Sequence, residues 1–298
     1  MKIFISGGTG FVGTYLTNSL LDKGHHVTAA GTSGHHPAQG RNGFELMSCD
    51  TTQAGKWQEA IGDMDAVINL AGRNIFKFWT KKYKSLMYDS RILTTINIVN
   101  ALPKDKKTIL LSTSAVGCYG NRGDEMLNEN SSPGDGFLAR VCQDWEREAA
   151  AGEEKGARVV IMRFGVVLGR NGGALANMIP AFKWFVGGPL GNGTQWFPWI
   201  HMADLTSAVY FMLESEVSGP MNLCAPSPVR QKDFAKALGK SLGRPAFMPT
   251  PAFILRALMG EMGASLMASQ RVVPEKLLDE GFRFSYPNIQ DALQDLMT

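Results

Sequence analysis

The chain is poor in cysteine, and the four it has, Cys49, Cys118, Cys142 and Cys224, are scattered. They form no C-x-x-C pair, which argues against a zinc site or a disulfide framework and points to a reducing, cytoplasmic setting. Net charge is equally scarce. Thirty basic against 27 acidic side chains leave +3, too little to argue for nucleic acid or membrane as partner. The densest basic run, PKDKKT at 103–108, reads as a solvated loop between helix and strand. No stretch nears the ~18 apolar residues of a membrane span. MKIFISGG is too short before its glycines to be a signal-peptide core. Histidine is sparse too, and the neighbours His25/His26 and His35/His36 diverge in a helix or strand. They read as surface or turn residues, and no metal site is expected.

Apolar residues and glycine are plentiful. A chain of 298 residues that is 44% hydrophobic, with 33 glycines, suits one large α/β unit, alone or with a small appendage. Strand-like runs at 2–6, 26–31, 44–48, 65–72, 108–114 and 158–164 alternate with helical patterns at 11–23, 54–62, 81–102 and 137–151. Val12, Leu16 and Leu20 recur at spacing four, a stripe that faces a sheet. The alternation predicts an α/β fold with a doubly wound parallel sheet, covered on both faces.

From about residue 170 the rhythm breaks into a glycine-rich, aromatic segment, then a helix (203–214), a strand (GPMNLCA) and a helix (231–242). The last fifty residues read as helical. The expected division is 1–245, a Rossmann-type domain with substrate-region segments interleaved from about 170, and 246–298, a small helical C-terminal domain.

In IFISGGTGFVGTYL, glycines at 7, 10 and 13 follow the first strand and open a helix. Gly7 permits the tight turn, Gly10 lets backbone approach a pyrophosphate, and Gly13 allows close helix–strand packing. Thr9, Phe11 and Val12 belong to the same cradle. An NAD site wants a carboxylate at the end of the second strand, where this chain has AAGTSGHH. That favours NADP over NAD, with Gly31, Thr32 and Ser33 beside the 2′-phosphate and His35, His36 and Arg41 as further donors.

GGTGFVG, INLAG (68–72), DSRILTT (89–95), STSAVGCYG (112–120), RFGVVLG (163–169), WIHMADL (199–205) and APSPVRQKDF (225–234) resemble an atypical branch of the extended short-chain dehydrogenase/reductases. That branch is nucleoside-diphosphate-sugar epimerase-like and carries its own small C-terminal domain, to which 266–293 is similar. The resemblance covers essentially the whole chain. It implies an NADP(H)-dependent oxidoreductase or epimerase-like activity on a small carbonyl or nucleotide-sugar substrate. It also implies that Leu70, Ala71 and Gly72 line the cofactor site and that Arg91 points to the cofactor phosphates. The branch commonly ends its second strand in Ser-Arg, where this chain has Gly31-Thr32.

Related reductases carry Tyr-x-x-x-Lys on the helix that here reads FLARVCQDWE (137–146). Aligned on Glu146, the tyrosine position is Leu138 and the lysine position Cys142. Leucine moves no proton, and a thiol among Leu138, Val141 and Trp145 stays protonated beside the nicotinamide. Ser114 matches the strand-end serine that orients a substrate oxygen. Tyr119 is either the alternative acid or a loop anchor with its hydroxyl bonded to backbone. Trp196, Phe197 and Trp199 either stack on a ligand or fill core; Asp124 and Glu125 either meet substrate or are solvated. His201 and Asp204 read as a turn and a helix cap. A catalytically inactive NADP(H)-binding protein is the alternative to the enzyme. The C-terminal helices either cover the cleft or form a homodimer face.

Overall fold

The computed structural model describes residues 1–104 and 106–298; position 105, within the basic loop 103–108, lies outside the described residues. Seven strands form one sheet: β1 (Lys2–Ser6), β2 (His26–Gly31), β3 (Phe44–Ser48), β4 (Ala66–Asn69), β5 (Ile109–Ala115), β6 (Arg158–Phe164) and β7 (Gly219–Leu223). Every neighbouring pair is parallel, in the order β7-β6-β5-β4-β1-β2-β3. The chain starts in the middle of the sheet, builds one edge, then crosses to build the other. The order therefore reverses between β1 and β4, where a doubly wound sheet opens a crevice at its C-terminal edge.

The helices are α1 (Phe11–Asp22), α2 (Lys81–Ala101), α3 (Phe137–Ala150), α4 (Gly173–Lys183), α5 (Met202–Glu214), α6 (Gln231–Ser241), α7 (Ala252–Ser265), α8 (Glu275–Asp279) and α9 (Ile289–Met297). Strand alternation divides the apolar residues between two faces. Ile3, Ile5, Ile68 and Leu111 share a core with Leu16 and Leu20 of α1 and Leu205 and Val209 of α5. Phe4, Val67 and Leu110 share another with Ile98 and Val99 of α2. No helix among the described residues is long and apolar enough to cross a membrane.

One expectation is corrected. The stretch expected as helix at 54–62 winds more tightly, as 3₁₀ turns over Lys56–Asp63, with only Trp57 and Ile61 buried. So short a segment, holding Gly62 and two apolar anchors, cannot offset the cost of nucleating an α-helix. The C-terminal part is mostly helical, as expected, with one short strand: Arg271–Val272 pairs in parallel with Met126–Leu127. That pairing, together with a core in which Leu293 and Leu296 of α9 meet Phe234 and Leu238 of α6, fastens the last residues to the body.

Candidate functional site

A cleft of roughly 430 Å³ lies along the C-terminal edge of the sheet, walled by Phe11, Val12, Leu70, Arg91, Ser114 and Cys142 among others. Phe11 and Val12, at the start of α1 beside the glycine turn, form part of that wall. Gly7 has φ +70°, and a Cβ there would sit 2.9 Å from the backbone of Leu70 and Ala71. A Cβ on Gly13 would fall 2.3 Å from the carbonyl oxygen of Gly7, so α1 can pack this close to β1 only with glycine at that position. Helix α1 has Gly10 as its cap and no side-chain cap bond. The first amide there to find a backbone acceptor is that of Thr14, on Gly10 O at 2.8 Å, which leaves the amides of Phe11, Val12 and Gly13 open. Open amides at the positive end of a helix donate readily to an anionic group.

Around the loop the expected cofactor residues distribute unevenly. Phe11, Val12, Leu70, Gly72, Arg91 and Cys142 line the cleft, whereas Ala71 is buried and not part of its wall. Thr9 covers Gly31: a Cβ on that glycine would be 2.4 Å from Thr9 Oγ1. Thr32 is exposed and Ser33 half-buried, its hydroxyl donating to His35 O. Arg41 is withdrawn from this end, donating to Asn18 Oδ1 at 3.0 Å and Asp22 Oδ1 at 2.6 Å. His36 is a correction, for it is only 4% exposed, stacked on Phe44 at 4.7 Å, and Nδ1 accepts from the Ala38 amide. The carboxylates near the ends of β2 and β3 are engaged elsewhere, Glu45 by Thr28 and Asp50 by Thr52.

Arg91 projects from α2 across Gly72, where a Cβ would be 3.1 Å from its guanidinium carbon. It donates to Met87 O at 2.9 Å and Arg73 O at 3.2 Å, with the guanidinium 5.3 Å from the centre of the Trp145 ring. Burial pulls its pKa below the ordinary value, yet an arginine remains charged at neutral pH.

Below the middle of the cleft lies a polar network that sequence reasoning missed. Ser114 Oγ donates to Glu146 Oε1 at 2.6 Å, and Arg163 grips the same carboxylate through Nε at 2.9 Å and Nη2 at 2.8 Å. Arg163 Nη1 donates to Tyr119 Oη at 2.9 Å. The phenol lies 2.8 Å from Asn222 Oδ1 and 2.9 Å from Asn128 O, either of which can take its proton. Tyr119 is 0% exposed and contributes nothing to the cleft wall. Burial raises its pKa well above the ordinary value. The acid role considered for Tyr119 is therefore corrected: its hydroxyl is a structural node beneath the site. A glutamate at the fourth position after Cys142 and an arginine ending β6 were visible in the sequence, but nothing there showed that they meet.

Cys142 and Leu138 of α3 both line the cleft. Burial pushes the Cys142 thiol up to about 11, so it stays protonated at neutral pH. The aromatic segment divides: Trp196 and Phe197 line the cleft, while Trp199 is core. Asp124 accepts from the Trp196 indole at 2.8 Å and pairs with Arg230 at 2.7 Å, and Glu125 pairs with Arg122, so both acidic side chains have structural partners. Asp204 is not the cap expected of it. It is 1% exposed and accepts from the amides of Ser285 and Tyr286, while His201 caps α5 through the Ala203 amide. Among the described residues no cluster of His, Cys, Asp and Glu is arranged to hold a metal ion.

Residues 3–224 match the model of the NAD-dependent epimerase/dehydratase family, and residues 250–296 match a domain of unknown function, DUF1731. The chain is 37% identical to the chloroplastic epimerase family protein SDR39U1 homolog of Arabidopsis thaliana, covering 100% of this chain and 87% of that one. It is 36% identical to the epimerase family protein YfhF of Bacillus subtilis, over 100% and 98% of the two chains. The crystal structure of human epimerase family protein SDR39U1 (isoform 2) with NADPH superposes with a TM-score of 0.85 at 32% identity, covering 100% of this chain and 99% of that one.

Proposed function

The chain belongs to the NAD-dependent epimerase/dehydratase family, and from that premise we propose that it binds NADP(H) in the cleft and acts as an oxidoreductase on a small carbonyl compound without a Tyr-x-x-x-Lys pair. The observation that carries the cofactor reading is the row of open amides of Phe11, Val12 and Gly13 behind Gly10. A dinucleotide pyrophosphate is an acceptor for those amides and is favoured by the helix dipole. The end of β2, without a carboxylate, leaves Gly31, Thr32 and Ser33 compatible with a 2′-phosphate. The NADPH in the similar human protein supports the same choice over NAD.

When bound, the dinucleotide supplies the hydride chemistry. The chain's own contribution is to hold and enclose it. Val12, Leu70 and Cys142 offer apolar wall, and Arg91 offers a fixed positive charge beside Gly72. Leu138 and Cys142 stand where related reductases place tyrosine and lysine, and neither moves a proton at neutral pH. The second reading, an NADP(H)-binding protein without turnover, is favoured by that same missing acid. A reducing, cytoplasmic setting fits four free cysteines, three of them buried.

Titration with NADPH and NADH separately, followed by nicotinamide fluorescence, tests the premise of both readings. Tight NADPH binding with weaker NADH is expected. Failure of both dinucleotides to bind would remove both readings.

A further inference from the structure

Resting on the NADP(H) reading, we propose that the substrate is a flat, electron-poor conjugated carbonyl of the quinone class, and that the cleft excludes nucleotide sugars. Two independent features carry this, the wall of the cleft and the state of the groups placed where a proton donor would stand.

The part of the cleft beyond the glycine loop is walled by Ile75, Phe76, Phe137, Leu138, Trp196 and Phe197, with Leu266 reaching in from the C-terminal part. Three polar side chains there are already engaged, while the buried Gln195 Oε1 has no partner. The Trp196 indole donates to Asp124, Gln270 Nε2 to Gly120 O and Ser265 Oγ to Met262 O. Among the described residues Arg91 is the one cation lining the cleft, and it lies beside Gly72. Arg230 and Arg271 stop at the ring of Trp196, with their guanidinium carbons 4.0 and 4.8 Å from its centre, and neither lines the cleft. A nucleotide diphosphate brought into this wall would lose water without gaining a cation. A planar apolar ring would gain aromatic contact on entering.

The second feature is the lack of a free acid among Ser114, Tyr119, Cys142 and Leu138. Ser114 donates its hydroxyl hydrogen to a carboxylate clamped by Arg163, the Tyr119 hydroxyl is held beneath the cleft, and the Cys142 thiol titrates at about 11. Leu138 has no proton to give. None of these four polarises a carbonyl oxygen or protonates the alkoxide that an isolated aldehyde or ketone becomes. A quinone needs neither aid. It gains a hydride, two electrons with one hydrogen, and is released as an aryloxide whose conjugate acid resembles tyrosine, with a pKa near ~10. Water supplies the second hydrogen as a proton, so quinone, reduced dinucleotide and one proton become hydroquinone and oxidised dinucleotide.

The experiment uses the full chain and begins with NADPH binding by fluorescence. NADPH oxidation is then followed with a naphthoquinone, an aromatic aldehyde of similar size and UDP-glucose. Quenching of tryptophan emission by the naphthoquinone is measured separately on the complex with oxidised NADP, where no turnover occurs. The expected result is quinone-dependent oxidation at least ~100-fold faster than with the aldehyde, the lower end of what a missing general acid costs. Saturable quenching should weaken about tenfold or more in Phe197→Glu. With NADPH bound, equal rates with the aldehyde, binding or epimerisation of UDP-glucose, or no response to the quinone in either assay would each overturn the proposal. Absence of NADPH binding is a separate result that fells the underlying cofactor reading and the substrate assignment with it.

Discussion

Ser114 Oγ lies 2.6 Å from Glu146 Oε1, on a carboxylate that Arg163 also holds through two nitrogens at 2.9 and 2.8 Å. A carboxylate only accepts, so the serine must be the donor in that pair. Its lone pairs remain available to the cleft while its proton does not. The residue best placed to polarise a substrate oxygen is thereby turned into an acceptor by a neighbour 32 residues further along the chain.

The Glu146–Arg163 pair is nearly buried, with side-chain exposures of 14% and 10%. Glu146→Gln leaves the arginine without its counter-charge and is expected to cost about 3 kcal/mol in urea unfolding. Combining it with Arg163→Met should recover much of that loss. A double variant no more stable than the single one would show that the pair is not what the arginine depends on.

Leu138 and Cys142 lie one helical turn apart on α3 and both face the cleft. Leu138→Tyr with Cys142→Lys would place an acid beside a cation that lowers its pKa. NADPH-dependent reduction of a simple aldehyde is expected to rise ~10²–10⁴-fold over the parent. Leu138→Tyr alone should give much less, because an isolated phenol near the apolar wall stays above its ordinary pKa. Equal gains from the single and double variants would refute the pairing.

Gly13→Ala drives a methyl to 2.3 Å from Gly7 O and 2.7 Å from Gly8 Cα. Neither backbone atom can yield, so a loss of about 3 kcal/mol and of NADPH binding is expected. Gly24→Ala meets no atom within 4 Å but imposes a Cβ at φ +79°, and should cost only about 1 kcal/mol. Thermal denaturation with and without NADPH separates the two effects.

Burial holds His201 and His36 below the ordinary histidine value of 6.5. As pH falls through 6.5 the unfolded chain takes up protons that the folded chain refuses, so their contribution is intact above that pH and is lost below it. Asp295 Oδ2, 3.3 Å from His201 Nε2, moderates the effect, and the buried Asp204 works with the opposite sign because burial raises its pKa. Unfolding free energy is expected to drop between about pH 7.5 and about pH 5.5, and His201→Gln should flatten part of that slope. An unchanged slope would mean that His201 is solvated.

The glycine loop and the strand pattern were legible in the sequence because each is a local property. Gly7 answers to a turn and Gly13 to a helix start, and the apolar runs of β4 and β6 answer to burial on both faces. The roles of Asp204 and His36 were not legible, and for Tyr119 the sequence left the backbone-bonded anchor open beside the acid. Each carries a polar group whose meaning depends on what arrives from elsewhere: Arg163 and Asn222 for Tyr119, the amides of Ser285 and Tyr286 for Asp204, the ring of Phe44 for His36.

Backbone propensity, period and glycine conformation act over a few residues, and so the doubly wound sheet and the glycine turn that opens α1 follow from the order of amino acids. Proton ownership is different. Whether Ser114 can give its hydrogen to a substrate depends on where Glu146 sits, and Glu146 is held by Arg163 from another strand. Hydrogen bonds compete over about 3 Å, a distance that spans 32 residues here only after β5, α3 and β6 have packed. The apolar wall follows the same rule, since Ile75, Phe137, Phe197 and Leu266 become one surface only when four separate segments close around it.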